Sequence, residues 1–346
     1  MSDDYLWDGS GPPDPDVERL ERMLGRLRST AAMPDITATV RRKPDTTFVQ
    51  TRWNSARFLV PTLAAAASIV AMLGVTWQTT RGTQSWEVER MAGQPRIGGS
   101  ALAGIGRLGV GQTLVTDAAS RARLDVSTIG QATIDTDSRV RLVDTREGHH
   151  QLALERGTLH AFIIAPPGQF VVDTPSATAT DLGCVYTLHV DEDGSGTLSV
   201  TAGWVAFEFN GRESFVPAGA SSRTDPRLGP GTPRYDDATQ EFRNAMDDVD
   251  DSADPARRFA GLTLVLAEAR ERDAMTLWHL IPRVGEKYRA LVIDALAARV
   301  PMPAGVTREA VMRLDKPALD QWWDALGLRD ASWWRKWKGP YPLDVK

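Results

Sequence analysis

The chain has 346 residues, 42% of them apolar, which is enough length and hydrophobic side chain for two ordinary domains and excludes disorder throughout. A formal net charge of -5 provides no basic field, so nucleic acid is excluded as a default partner. Cys184 is the single cysteine, so neither an intrachain disulfide nor a cysteine-rich metal site can form.

Near the N-terminus, Asp14 and Pro15 supply a cap and a first-turn proline, and the spacing of Val17, Leu20, Leu24 and Leu27 predicts one amphipathic helix over 15–28. A helix this short is marginal alone, so its stripe implies docking on a cytoplasmic protein, the inner leaflet or a second copy. Residues 1–57 read as a cytoplasmic tail. Residues 58–77, FLVPTLAAAASIVAMLGVTW, carry no charge and are long enough as a helix to cross about 30 Å of bilayer hydrocarbon. They predict a single transmembrane helix; a buried helix of a soluble domain is the alternative. Arg41, Arg42, Lys43, Arg52 and Arg57 precede it closely, against Arg81 and Arg90 after it. That asymmetry predicts a bacterial inner-membrane protein with its N-terminus cytoplasmic and its C-terminus periplasmic. Trp53, Trp77 and, more weakly, Trp86 fit interfacial positions.

From 93 to 233 the pattern changes to short alternating runs broken by glycine and proline, predicting an all-β domain, solenoid-like or β-sandwich-like. Ala122, Leu124 and Val126 alternate with polar residues, as do Leu159, Ala161 and Ile163, then Tyr186, Leu188 and Val190. His160 and His189 fall on the polar side of that alternation and face outward. Asp191 to Gly196 reads as a hairpin loop. Two corners share a plan, Leu154-Glu-Arg-Gly157-Thr-Leu159 and Val200-Thr-Ala-Gly203-Trp-Val205, in which the glycine marks a bend.

These corners, with Val172-Asp-Thr174-Pro175-Ser-Ala177 and Gly183-Cys184-Val-Tyr186 between them, resemble the FecR-domain family over a core of 121–220. The motif positions are Gly157, Thr174, Pro175, Ala177, Gly183, Tyr186 and Gly203. Cys184 stands where the family usually has threonine. The resemblance implies envelope signal transduction, with a tail that binds a cytoplasmic sigma factor or equivalent regulator and an exported domain that meets a periplasmic or outer-membrane partner. The tail is shorter than the family's usual anti-sigma region. A non-catalytic envelope scaffold, or a ligand- or glycan-binding protein, is the alternative.

After Gly229-Pro-Gly-Thr-Pro233, residues 236–346 predict an α-helical domain: Asp254-Pro255 caps a run to Arg272, Asp273 caps another through Leu280, and further helices follow near 288–296, 307–314 and 317–326, with Gly327 as a C-cap. Asp247, Asp248, Asp250, Asp251 and Asp254 read as a solvated acidic face. Trp322, Trp323, Trp333, Trp334 and Trp337 read as a terminal helix docked on the helical core, or else as a binding surface.

No catalytic signature is present. Gly104-Ile-Gly106-Arg-Leu-Gly109 matches a dinucleotide fingerprint literally, but no hydrophobic strand leads into it and no helix follows. There is no Walker loop, no HExxH and no nucleophile elbow, so the expectation is no enzyme, no cofactor and no metal.

Overall fold

The computed structural model describes residues 85–328, all of which fall in one compact unit. Two β-sheets face each other. In the first, β1 (Ser85–Ala92), β4 (Ile105–Gly109), β6 (Arg121–Val126), β7 (Gly130–Ile134), β12 (Val185–Val190), β13 (Gly196–Ala202) and β16 (Ala220–Asp225) carry the area. The short β17 (Gly229–Pro230) and β18 (Arg234–Tyr235) pair with β16. The second contains β2 (Arg96–Ile97), β3 (Ser100–Ala101), β5 (Thr113–Val115), β8 (Arg139–Arg146), β10 (Phe170–Asp173), β11 (Thr178–Asp181), β14 (Trp204–Phe209) and β15 (Arg212–Pro217). The long β9 (His149–Ile163) belongs to both: its first half pairs with β8 and β10, its second with β7 and β12. β9 and β10 run parallel, and the other pairings are antiparallel.

Alternation puts the core between the sheets. Ala122, Leu124 and Val126 are fully buried while Arg121, Arg123 and Asp125 face outward. Opposite them, Leu142, Leu152, Val172, Ala179 and Phe207 form an inner row across paired strands. Hairpins alternate between the sheets, and glycine makes two of the crossings. At Gly157 (φ +89°) strand β9 passes from one sheet to the other, and a Cβ there would lie 2.2 Å from Ser138 Oγ and 2.4 Å from its Cα. At Gly203 (φ +73°) the chain leaves β13 for β14, and a Cβ would lie 2.2 Å from the Gly183 carbonyl oxygen. Only glycine combines that backbone conformation with that approach.

Six α-helices follow: α1 (Gln240–Asp251), α2 (Pro255–Glu268), α3 (Ala274–Leu280), α4 (Glu286–Ala297), α5 (Arg308–Met312) and α6 (Lys316–Ala325). Thr239, Asp254, Thr307 and Asp315 accept hydrogen bonds from first-turn amides as N-caps, and Gly327 (φ +75°) follows the last helix. The Asp273 side chain does not cap α3; its carboxylate accepts from Arg270 instead. The sequence reading missed α1, whose last turn holds most of the aspartates taken for a solvated face.

The expected fold class needs two corrections. Among the described residues no helix is long and apolar enough to cross a membrane, so the single transmembrane helix is not part of the described fold, which is a β sandwich with a helical layer; the segment 58–77 lies outside those residues. The helical part is also not a second domain with its own core. Its buried side chains continue the sandwich's hydrophobic cluster, because β14 and β15 are covered on both faces. Trp86 is likewise no interfacial anchor: at 2% exposure it packs against Phe170 inside the sandwich. Trp53, Trp77, Trp333, Trp334, Trp337 and the 15–28 stripe lie outside the described residues.

Candidate functional site

The family-motif residues gather where hairpins cross between the sheets, and they shape backbone. Thr174 closes the turn between β10 and β11: its hydroxyl accepts from the Ala177 amide (2.9 Å) and donates to the Ala177 carbonyl (2.8 Å). Pro175 beside it meets the tip of the 191–196 hairpin, where a Cβ on Gly194 would lie 3.0 Å from the proline's Cβ. Ser176 is fully buried, and its carbonyl accepts from Thr224 Oγ1 at 3.1 Å. This turn therefore ties the β12–β13 hairpin to β16.

One turn further on lies the only motif neighbourhood with titratable chemistry. Asp181 is 1% exposed on the inner face of β11. Its Oδ1 accepts from the Gly183 amide and its Oδ2 from the Cys184 thiol, both at 2.6 Å. Burial raises the carboxyl to about 6, against the lowering effect of the Cys184 and Gly183 hydrogen bonds. Burial, with Asp181 beside it, pushes the Cys184 thiol far above its ordinary range, and burial does the same to the Tyr186 phenol. The Tyr186 hydroxyl is buried without a hydrogen-bond partner among the described residues. A protonated, enclosed thiol is a poor nucleophile, so this trio is a structural element of the core.

The second feature is the seam between β14–β15 and the helices. Trp323 of α6 packs against Trp204 and Phe215 of the sheet and against Trp278 of α3, with ring centroids 6.3, 5.6 and 4.8 Å away. His279 Nε2 accepts from the Phe215 amide at 3.0 Å, while its Nδ1 lies 2.9 Å from the Met275 carbonyl and so donates to it. Arg283 donates to Ser214 Oγ (2.7 Å), the Glu213 carbonyl (2.7 Å) and Thr232 Oγ1 (3.0 Å). Asp250 accepts from Thr232 at N (2.6 Å) and Oγ1 (2.9 Å), and from Arg212 at 3.2 Å. Asp247 pairs with Arg223 and Arg234. The aspartates read as a solvated face are thus partly a clasp between sheet and helix. Beside the seam lies a groove of ≈ 470 Å³, with Arg212, Glu213, Arg283 and Lys316 around Trp278 and Leu319.

The sequence carried a signal for this seam that spacing arguments passed over. Trp204-Val-Ala-Phe207 and Phe215-Val-Pro217 are unbroken apolar runs, which fit strands buried on both faces. His160 and His189 do face outward, each with its Nδ1 on a threonine hydroxyl of the neighbouring strand, Thr187 and Thr158. His150, the second residue of β9, turns inward at 5% exposure. Among the described residues no group of three or more His, Cys, Asp or Glu is arranged to hold a metal ion.

These residues build a two-sheet β sandwich sealed on one side by helices, with motif positions that set chain crossings and carry no accessible nucleophile. Residues 112–206 match the family described as FecR protein. That stretch is a FecR domain, where its motifs indicated one. Comparison with curated proteins gives no match. Two crystal structures of a Parabacteroides distasonis protein described as a "putative anti-sigma factor" are similar at 14% identity, with TM-scores of 0.32 and 0.33. In each case 39% of this chain and 64% of that one are covered, slightly under two thirds of the other protein. A superposition this loose carries no argument about what this chain binds.

Proposed function

We propose that this chain is a non-catalytic regulator in bacterial envelope signalling, acting on a cytoplasmic sigma factor or equivalent regulator. The observation that supports it most is the FecR match over 112–206, which contains all seven motif positions. An enclosed thiol and the absence of a catalytic signature in the sequence agree with a binding role. In this reading the sandwich and its helical layer receive the signal outside the cytoplasm. The stripe Val17, Leu20, Leu24 and Leu27 is the output, because burying a leucine contributes roughly 1.5 to 3 kcal/mol and four such side chains offset the ordering of a short helix.

The test is co-purification of the full chain with the product of a neighbouring sigma-factor reading frame. Wild type should retain that partner and Leu24→Asp should lose it, with the same amount of folded protein in both. Retention by both, or by neither, would overturn the reading. A periplasm-dependent reporter fused after Thr232 checks the location: no activity there means the sandwich is not exported.

A further inference from the structure

At one end of the sandwich, where β1 begins, β6 and β8 end and β9 starts, lies a polar cavity of ≈ 430 Å³ that no family motif accounts for. Its floor is a buried relay. The Trp86 indole N–H donates to Thr145 Oγ1 at 2.8 Å, and Thr145 Oγ1 lies 2.8 Å from His150 Nδ1. Trp86, Thr145 and His150 are 2%, 8% and 5% exposed. Thr145 has one hydroxyl hydrogen and already accepts from the indole, so the arrangement that leaves no hydrogen stranded has it donating to Nδ1. The imidazole hydrogen then sits on Nε2. That atom has no partner among the described residues and is not sealed from solvent, which it reaches through the cavity that His150 lines. Burial, with His149 adding to it, holds this imidazole below its ordinary value, which keeps it neutral near neutral pH.

The walls carry charges of both signs that do not cancel one another. Arg107 and Glu87 stand directly opposite in the β1–β4 register without forming an ion pair. Arg107 is instead held by Ser85, through Oγ at 2.9 Å and the carbonyl at 3.3 Å. Glu87 and Glu147 have no ion-pair partner among the described residues, and Arg146 reaches Asp144 while 64% exposed. A ligand that satisfies such a site offers an anion to the cations and the Nε2 hydrogen, and a cation to the carboxylates. A neutral sugar would leave those charges uncompensated and would find no indole face to stack on, since Trp86 is only 2% exposed.

We propose that this cavity is a binding site for a small zwitterion of the α-amino acid class, its carboxylate toward Arg107, Arg146 and His150 Nε2 and its ammonium toward Glu87 and Glu147. The site stands apart from the sigma-factor reading, since it needs neither the tail nor a partner protein.

The experiment is calorimetric titration of the full chain with each common α-amino acid, each binder's decarboxylated and deaminated analogues, and neutral monosaccharides. At least one amino acid should bind, and each one-ended analogue should bind at least tenfold more weakly. Arg146→Gln and Glu147→Gln, both on the exposed rim, should each weaken binding about tenfold with an unchanged melting temperature. The His150 imidazole nitrogen resonances should move on saturation while those of His160 stay still. No binding across the amino acid panel, equal binding of a one-ended analogue, preferential binding of a sugar, or normal binding by both rim variants would each overturn the proposal.

Discussion

Asp181 is a carboxyl group in a hydrocarbon core, with a thiol and one amide as its hydrogen-bond donors. Its carboxyl is raised from 3.8 to about 6 by burial, so the folded state prefers the proton. The stability this contributes is complete below about pH 4 and is lost as pH rises through about 6. By linkage, the roughly one unit of that shift that lies above pH 5 makes the protein less stable at pH 7.5 than at pH 5 by about 1.4 kcal/mol through this group alone. Asp181→Asn keeps an acceptor for the Gly183 amide and removes the ionisation. Urea unfolding at the two pH values should show the wild-type difference shrink by that amount in the variant; an unchanged difference means the carboxylate is not paying that desolvation. Cys184 adds a probe at the same place. Because its thiol is buried and held protonated, it should react with a thiol reagent only when the sandwich opens, so labelling in native buffer should track global unfolding.

At the scale of the elements, glycine corners decide how strands change sheets. Gly157 and Gly148 both have positive φ, but a Cβ on Gly157 would collide with Ser138 whereas one on Gly148 meets nothing within 4 Å. Alanine at Gly148 should therefore cost about 1 kcal/mol for the backbone alone, and alanine at Gly157 at least twice that. Equal losses in thermal melts would mean that the close approach is relieved by movement of Ser138. The bend at such glycines was legible in the sequence, as was the alternation of the central strands, because both are local consequences of chain geometry. Long-range pairing was not. Trp86 meets Thr145 across 59 positions, and no spacing rule connects them. Asp247 and Asp250 of α1 read as solvent-facing because their arginine partners come from strands, 13 positions away at Arg234 and 38 at Arg212, that helix spacing does not connect to them.

For the whole molecule, the question is whether sandwich and helices are separable. The sequence divides them at a proline- and glycine-rich stretch, and β structure does give way to helix there, but the energetic boundary lies elsewhere. The outer face of β14–β15 presents Trp204, Ala206 and Phe215 to the helices, and helix α6 returns Trp323, at 1% exposure, into that patch. Truncating a buried tryptophan typically costs about 3 to 5 kcal/mol, a large share of the stability of a domain this size. Trp323→Ala should therefore lower the denaturation midpoint sharply and still lose strand and helix signals together, because the two layers share one core. Removing the helices altogether is a harsher version of the same change. A fragment of residues 85–233 bares the patch and strands the Phe215 amide and the Thr232 hydroxyl that His279 and Asp250 engage. It should be aggregation-prone or loosely packed, while a fragment of residues 85–328 unfolds in a single transition. Circular dichroism and sedimentation of the two fragments make the comparison. A monomeric 85–233 fragment with a cooperative melt near that of the longer one would show that the sandwich stands alone and that the helical layer is an addition to it.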